Sequence, residues 1–116
     1  MKNYYLLLFL LFGLFGKAQI INFPDANFKA KLLEASPSNY IAIDLTGNYF
    51  KIDANSNGEI EVSEALNISL LNIGSSSIQN LDGILNFINL TYLNCVFNQI
   101  TSLDISSLSN LTILHC

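Results

Sequence analysis

Asn89-Leu90-Thr91-Tyr92-Leu93-Asn94-Cys95 returns 21 residues later as Asn110-Leu111-Thr112-Ile113-Leu114-His115-Cys116. Five of the seven positions are identical, and they are the apolar or turn-forming ones. Between the copies run Asn98-Gln99-Ile100, then Leu103 and Leu108. A fixed period in the twenties marks a stacked repeat architecture, a solenoid. Each copy supplies a short strand and a return path, and neither can bury its apolar edge alone.

Working outward, a looser copy precedes this pair. Ile68, Leu71, Ile73, Ser76, Ile78, Leu81 and Phe87 match Leu90, Leu93, Cys95, Asn98, Ile100, Leu103 and Leu108. The shift is 22 residues up to Leu81 and 21 from Phe87, so one extra residue sits near Asp82-Gly83-Ile84. Ile-x-x-Leu-Asp recurs at Ile78–Asp82 and Ile100–Asp104. The third copy stops at Cys116, in mid-strand. Arrays of this kind need roughly three or more units and a polar terminal cap. The expectation is an α/β solenoid of short parallel strands over residues 67–116, C-terminally incomplete.

At the other end, Met1-Lys2 precedes an apolar run from Tyr4 to Phe15 that is broken only by Gly13. Gly16-Lys17-Ala18 then places small residues before Gln19. Residues 1–18 read as a secretory signal peptide, because the run is shorter than the ~20 residues a spanning helix needs. That implies a secreted or cell-surface protein with no membrane span once the leader is removed. Without Lys2 and Lys17, three lysines remain against nine acidic residues, a net charge of −6, and there is no arginine. Such a chain lacks the bidentate phosphate binders of nucleic-acid recognition, and it is a poor match to an anionic membrane surface.

Residues 19–66 read as a helical N-terminal cap. Gln19–Phe23 is an extended lead-in. Pro24-Asp25 opens a helix predicted over 24–35, with Phe28, Leu32 and Ala35 on one face. Asp25 suits the positive N-terminal end. Ser36-Pro37-Ser38-Asn39 stops it. Residues 40–52 are expected to be loop with some short helix, and a further short helix is predicted over 61–65.

Within the cap, Asp53-Ala54-Asn55-Ser56-Asn57-Gly58-Glu59-Ile60-Glu61-Val62-Ser63-Glu64 fits a twelve-residue EF-hand-like calcium loop. Asp53, Asn55, Asn57 and Glu61 stand at loop positions one, three, five and nine. Gly58 is at the turning sixth position, Glu59 offers its backbone carbonyl at the seventh, and Glu64 closes the loop with both carboxylate oxygens. Calcium takes six to eight oxygen ligands, and this alternation of short acids and amides supplies them. Two neutral asparagines lower the charge of the site and place its affinity toward that of extracellular modules. The preceding segment is not an entering helix, and a lone loop cannot make the paired opening of a calcium sensor. A bound ion would therefore pin the cap to the first repeat.

The residues flanking the inward ones should line the concave face of the strands. Asn72, Tyr92, Asn94, Val96 and His115 are the candidates for contact with a protein or glycan partner, through stacking and hydrogen bonds. Asn98 is assigned to bonding neighbouring backbone in the turn. Catalysis finds little support: His115 is the only histidine, and there is no nucleophile elbow, phosphate loop or zinc spacing. Cys95 and Cys116 occupy the same place in consecutive repeats. Parallel side chains on stacked strands point inward rather than toward each other, which favours free thiols over a bridge. The sequons at Asn67, Asn89 and Asn110 carry little weight, since two of them are the repeat's own Asn-Leu-Thr.

The unit Leu-x-x-Leu-x-Cys-x-x-Asn-x-Ile resembles a leucine-rich repeat. With Ile78-Gln79-Asn80-Leu81-Asp82-Gly83-Ile84, the chain also resembles the internalin style of repeat. As a whole it is similar to secreted leucine-rich repeat proteins of Bacteroidetes-type bacteria, which have a signal peptide, a Phe-Pro-Asp-Ala-Asn-Phe-type cap, a calcium-loop-like segment and 21-residue repeats. The resemblance implies a non-enzymatic protein- or glycan-binding and adhesion role, and no catalytic residue carries over. A rival expectation makes the chain the N-terminal accessory region of a larger secreted hydrolase.

Overall fold

The computed structural model describes residues 19–116, so the leader read from residues 1–18 lies outside the described residues. Helix α1 spans Ala26–Glu34. It begins two residues later than predicted because Asp25 is its N-cap rather than part of its first turn. The Asp25 carboxylate accepts the backbone N–H of Asn27 at 2.9 Å and of Phe28 at 3.1 Å. Phe28 and Leu32, one turn apart, are fully buried. Burial of side chains of this size stabilises by about 1.5–3 kcal/mol each. Phe23 of the lead-in and Phe87 of the first repeat pack edge-on against each other, with Phe28 beside them. This aromatic cluster joins the cap to the repeats.

Strand β1, Ala42–Asp44, lies where loop was expected. Tyr40–Leu45 has the β-branched and aromatic residues of a strand, but its partner is remote in sequence. Asp44 also makes the reversal that follows: its carboxylate accepts the N–H of Thr46 at 2.9 Å and of Asn48 at 3.0 Å. Gly47, at φ +93°, supplies the left-handed residue. The chain then returns so that Ile43 bridges Tyr49.

Helix α2, Val62–Ala65, leads directly into β2, Ile68–Asn72. A single 3₁₀ turn, Ile84–Asn86, lies in the return path to β3, Tyr92–Asn94, and β4 is Ile113–His115. The sheet order is β1-β2-β3-β4. β2, β3 and β4 are parallel, whereas β1 pairs antiparallel with β2. The parallel strands expected over residues 67–116 are present as β2, β3 and β4, and the cap strand β1, where loop was expected, makes this a small mixed α/β unit with one short four-stranded sheet. Ala42, Leu71 and Leu93 share a register row and are fully buried. Leu114 continues the row, but at 39% exposure.

Side chains repeat the backbone ladder. The Thr91 hydroxyl donates to the Ser69 carbonyl at 3.0 Å, and Thr112 donates to the Thr91 carbonyl at 3.1 Å. Asn89 Nδ2 donates to the Leu66 carbonyl at 2.8 Å, and Asn110 Nδ2 donates to Ile88 at 2.9 Å. The asparagine and hydroxyl of each Asn-Leu-Thr therefore tie their repeat to backbone 21 to 23 residues earlier in the chain. Asn98 does the same for the turns. It accepts the N–H of Ser76 and Ile78 at 2.9 and 3.0 Å and donates to Ile73 and Cys95 carbonyls.

Cys95 and Cys116 form a disulfide, with Cα atoms 4.5 Å apart. This corrects the expectation of stacked free thiols. Both residues lie one position beyond the last ladder-paired residue of β3 and β4. The parallel side-chain directions assumed for strand residues are not imposed there, and the Cα separation falls within the range a bridge requires. No helix among the described residues is long and apolar enough to cross a membrane.

Candidate functional site

Two regions carry the candidate residues. The first is the loop 53–64. Ile52 and Ile60 are buried at 1% and 0% exposure, and they anchor the loop to the core on either side of its polar tip. Between them the chain turns through Ser56 at φ +56° and Gly58 at φ +79°. Asp53 Oδ1 accepts the N–H of Asn57 at 3.3 Å, and Oδ2 that of Gly58 at 3.0 Å, which winds the loop around the carboxylate.

Glu64 closes the loop from α2. Its Oε1 accepts the N–H of Glu61 at 3.0 Å, and its Oε2 that of Ala54 at 2.8 Å, so one carboxylate holds both ends. Glu61 Oε1 receives the side-chain amides of Asn55 and Asn57. Glu61 Oε2 is buried and has no hydrogen-bond partner. Asp53, Glu61 and Glu64 are 5%, 2% and 7% exposed, and oxygens of all three lie within 4.8 Å of one another. Asn55 and Asn57 are exposed at the rim. The Glu59 side chain turns away and pairs with Lys29 of α1 at 2.8 Å.

Crowding two buried carboxylates has an electrostatic consequence. The Glu64 hydrogen bond, with those of Asn55 and Asn57, holds Glu61 down at about 2. Burial, together with the neighbouring Glu61, pushes Glu64 above its ordinary 4.5. The motif was legible in sequence because its spacing is strict. Lys29, which fixes the loop to α1, was not, since it is 30 residues from Glu59.

The second region is the outward face of the sheet. Asn72, Asn94 and His115 occupy one register row. Tyr92 lies in the adjacent row, its ring 5.8 Å from that of His115. Val96 is set apart: it follows β3, and its carbonyl accepts the N–H of Ser75 at 2.9 Å beneath it. The Tyr92 row is longer than the sequence suggested. Leu70 pairs with Tyr92 and with Ile43, and Ile43 bridges Tyr49, so Tyr49, Ile43, Leu70, Tyr92 and Ile113 share one face. Tyr40, 72% exposed, meets Tyr49 edge-on at 5.2 Å. Tyr40 and Tyr49 escaped sequence reasoning because they belong to the cap, outside the repeat.

No protein-family model and no curated protein matches the chain. Solved structures do. The functional domain of InlJ from Listeria monocytogenes, which includes a cysteine ladder, aligns over 86% of this chain and 19% of its own, with a TM-score of 0.61 and 29% identity. An internalin, InlF, from L. monocytogenes aligns over 86% of this chain and 26% of its own, with a TM-score of 0.54 and 28% identity. The structure of CBM51-2 in complex with GlcNAc and INT domains from Clostridium perfringens ZmpB aligns over 84% of this chain and 17% of its own, with a TM-score of 0.61 and 22% identity. The chain thus spans about a sixth to a quarter of the length of these chains. The likeness fits an internalin-like, leucine-rich-repeat-like fold.

Proposed function

We propose that this chain is an exported, non-enzymatic binding module: a leader at 1–18, a calcium-pinned cap at 19–66, and leucine-rich repeats over 67–116. The buried, unpartnered Glu61 Oε2 carries the calcium assignment. An oxygen in that state is costly unless a cation takes it up. The donors around it are all oxygens or can become so. Asp53 and Glu64 each bring a carboxylate oxygen within 4.8 Å of one from Glu61, and turning the amides of Asn55 and Asn57 end for end exchanges nitrogen for oxygen. Glu59, with its side chain engaged by Lys29, is left to contribute its backbone carbonyl. This set suits a hard divalent cation rather than a soft one.

The binding surface is the outward sheet face, where Asn72, Asn94 and His115 supply hydrogen bonding beside the Tyr92 row. Its ligand is a protein or a glycan. The likeness to internalins, and to a structure whose CBM51-2 holds GlcNAc, supports a binding role. The test is a panel of immobilised glycans and purified extracellular proteins, probed in calcium with the native chain and with the Tyr92→Ala/Asn94→Ala double variant. The expected result is a ligand that the native chain retains and the equally folded double variant loses at least tenfold. Equal retention of every ligand by both, or no ligand at all, would remove the face from the account.

A further inference from the structure

The lead-in strand reaches the cation loop at its most sensitive point. The Ile21 N–H donates to the Ile60 carbonyl at 2.9 Å, and the Val62 N–H donates to the Gln19 carbonyl at 2.8 Å. Between these two bonds, Ile20 bridges Glu61 in antiparallel fashion. Glu61 is the residue with the unpartnered buried oxygen, and its backbone is therefore clamped on both sides by residues 19–21. The adjacent apolar residues lock the strand in place: Ile21 and Phe23 are buried, and Phe23 sits so close to Gly83 that an added Cβ there would fall 2.6 Å from its ring.

We propose that Gln19–Ile21 is a positioning strand for the cation loop, doing for this single loop what a second, paired loop would otherwise do. The inference rests on the calcium reading above and extends it. An isolated loop must order Ile60–Val62 when it binds an ion. Here that ordering is supplied in advance by a strand that contributes no ligand, which raises affinity by preorganisation. Coupling of this kind is reciprocal, so the bound ion must in turn hold the strand more firmly to the cap. The strand also joins the loop to Phe23, hence to Phe28 and Phe87, and so carries the ion's effect into the core of the first repeat.

The test uses the full chain with calcium as the probe. Calorimetric titration compares the native protein with Ile21→Pro, which deletes the N–H that Ile60 accepts, and with Ile21→Ala, which keeps it while losing apolar contact. Amide exchange of Ile21 and Val62 is measured in parallel on the native protein, with calcium and with chelator. The expected result is at least tenfold weaker binding in Ile21→Pro, less than threefold in Ile21→Ala, and slower exchange of both amides in calcium. The exchange measurement needs no variant, so a failure of Ile21→Pro to fold leaves it decisive. Calcium binding with unchanged exchange at Ile21 and Val62 would overturn the positioning role alone. Absence of calcium binding in the native chain would overturn the calcium reading and this inference with it.

Discussion

At the scale of single residues, Asp25 does the most with the least. One carboxylate accepts four backbone N–H groups: Asn27 and Phe28 at the start of α1, and Gln79 and Asn80 of the first repeat at 2.7 and 3.0 Å. Partial burial works against its charged form, but these donors outweigh it, and its folded pKa lies below the ordinary 3.8. Asp25→Ala should cost about 2–3 kcal/mol in urea unfolding, about 1 from the lost cap and the rest from the repeat contacts. Asp25→Asn should cost less, since an amide oxygen still caps. Because the folded pKa is depressed, the Asp25 contribution is fully present above about pH 4 and is lost as pH falls through the folded value. The native chain should therefore lose stability relative to Asp25→Asn below about pH 4, and parallel stability curves there would contradict this role. Phe97 shows the opposite economy. It is 81% exposed and held at φ +58°, a conformation that bulky residues avoid. Phe97→Asn should raise stability by about 1 kcal/mol, read as a shift in the urea midpoint. The helix-capping half of Asp25 was legible from Pro24-Asp25, but its contacts 54 and 55 residues away were not.

At the scale of elements, the repeat explains what its consensus letters do. Asn89 and Thr91, which together read as a sequon, are both occupied with backbone carbonyls, of Leu66 and Ser69. Asn89→Ala should cost about 1–2 kcal/mol, because the half-buried Leu66 carbonyl loses its donor. A loss within a few tenths would show that water replaces the amide. The period, the extra residue near Gly83 and the loop 53–64 were legible because each is a local pattern with fixed spacing. Strand β1 was not: it exists through pairing with β2, 24 to 29 residues further on, and through a side-chain-capped turn that resembled any other loop. The cysteine pair was misjudged because strand geometry was assumed one residue past the strands. Intact-mass measurement after alkylation without reductant should therefore show no added label at Cys95 or Cys116. Two labels would restore the free-thiol reading.

At the scale of the whole molecule, the described residues make a small mixed sheet whose two ends are unlike. The β1 end is closed by the cap, where α1, the lead-in strand and the loop 53–64 converge on Phe23, Phe28 and Phe87. At the β4 end, Ile113 and Leu114 are exposed although Leu114 continues a buried row. The calcium loop proposed above belongs to the closed, cap end of the sheet. Thermal unfolding of the native chain and of Glu64→Gln, each in calcium and in chelator, tests that proposal most directly. At tenfold excess over the dissociation constant, calcium should stabilise the native chain by about 1.4 kcal/mol, a rise of roughly 5–10 °C in the midpoint. Glu64→Gln should show little or no rise. Native midpoints that coincide in calcium and chelator would contradict the account.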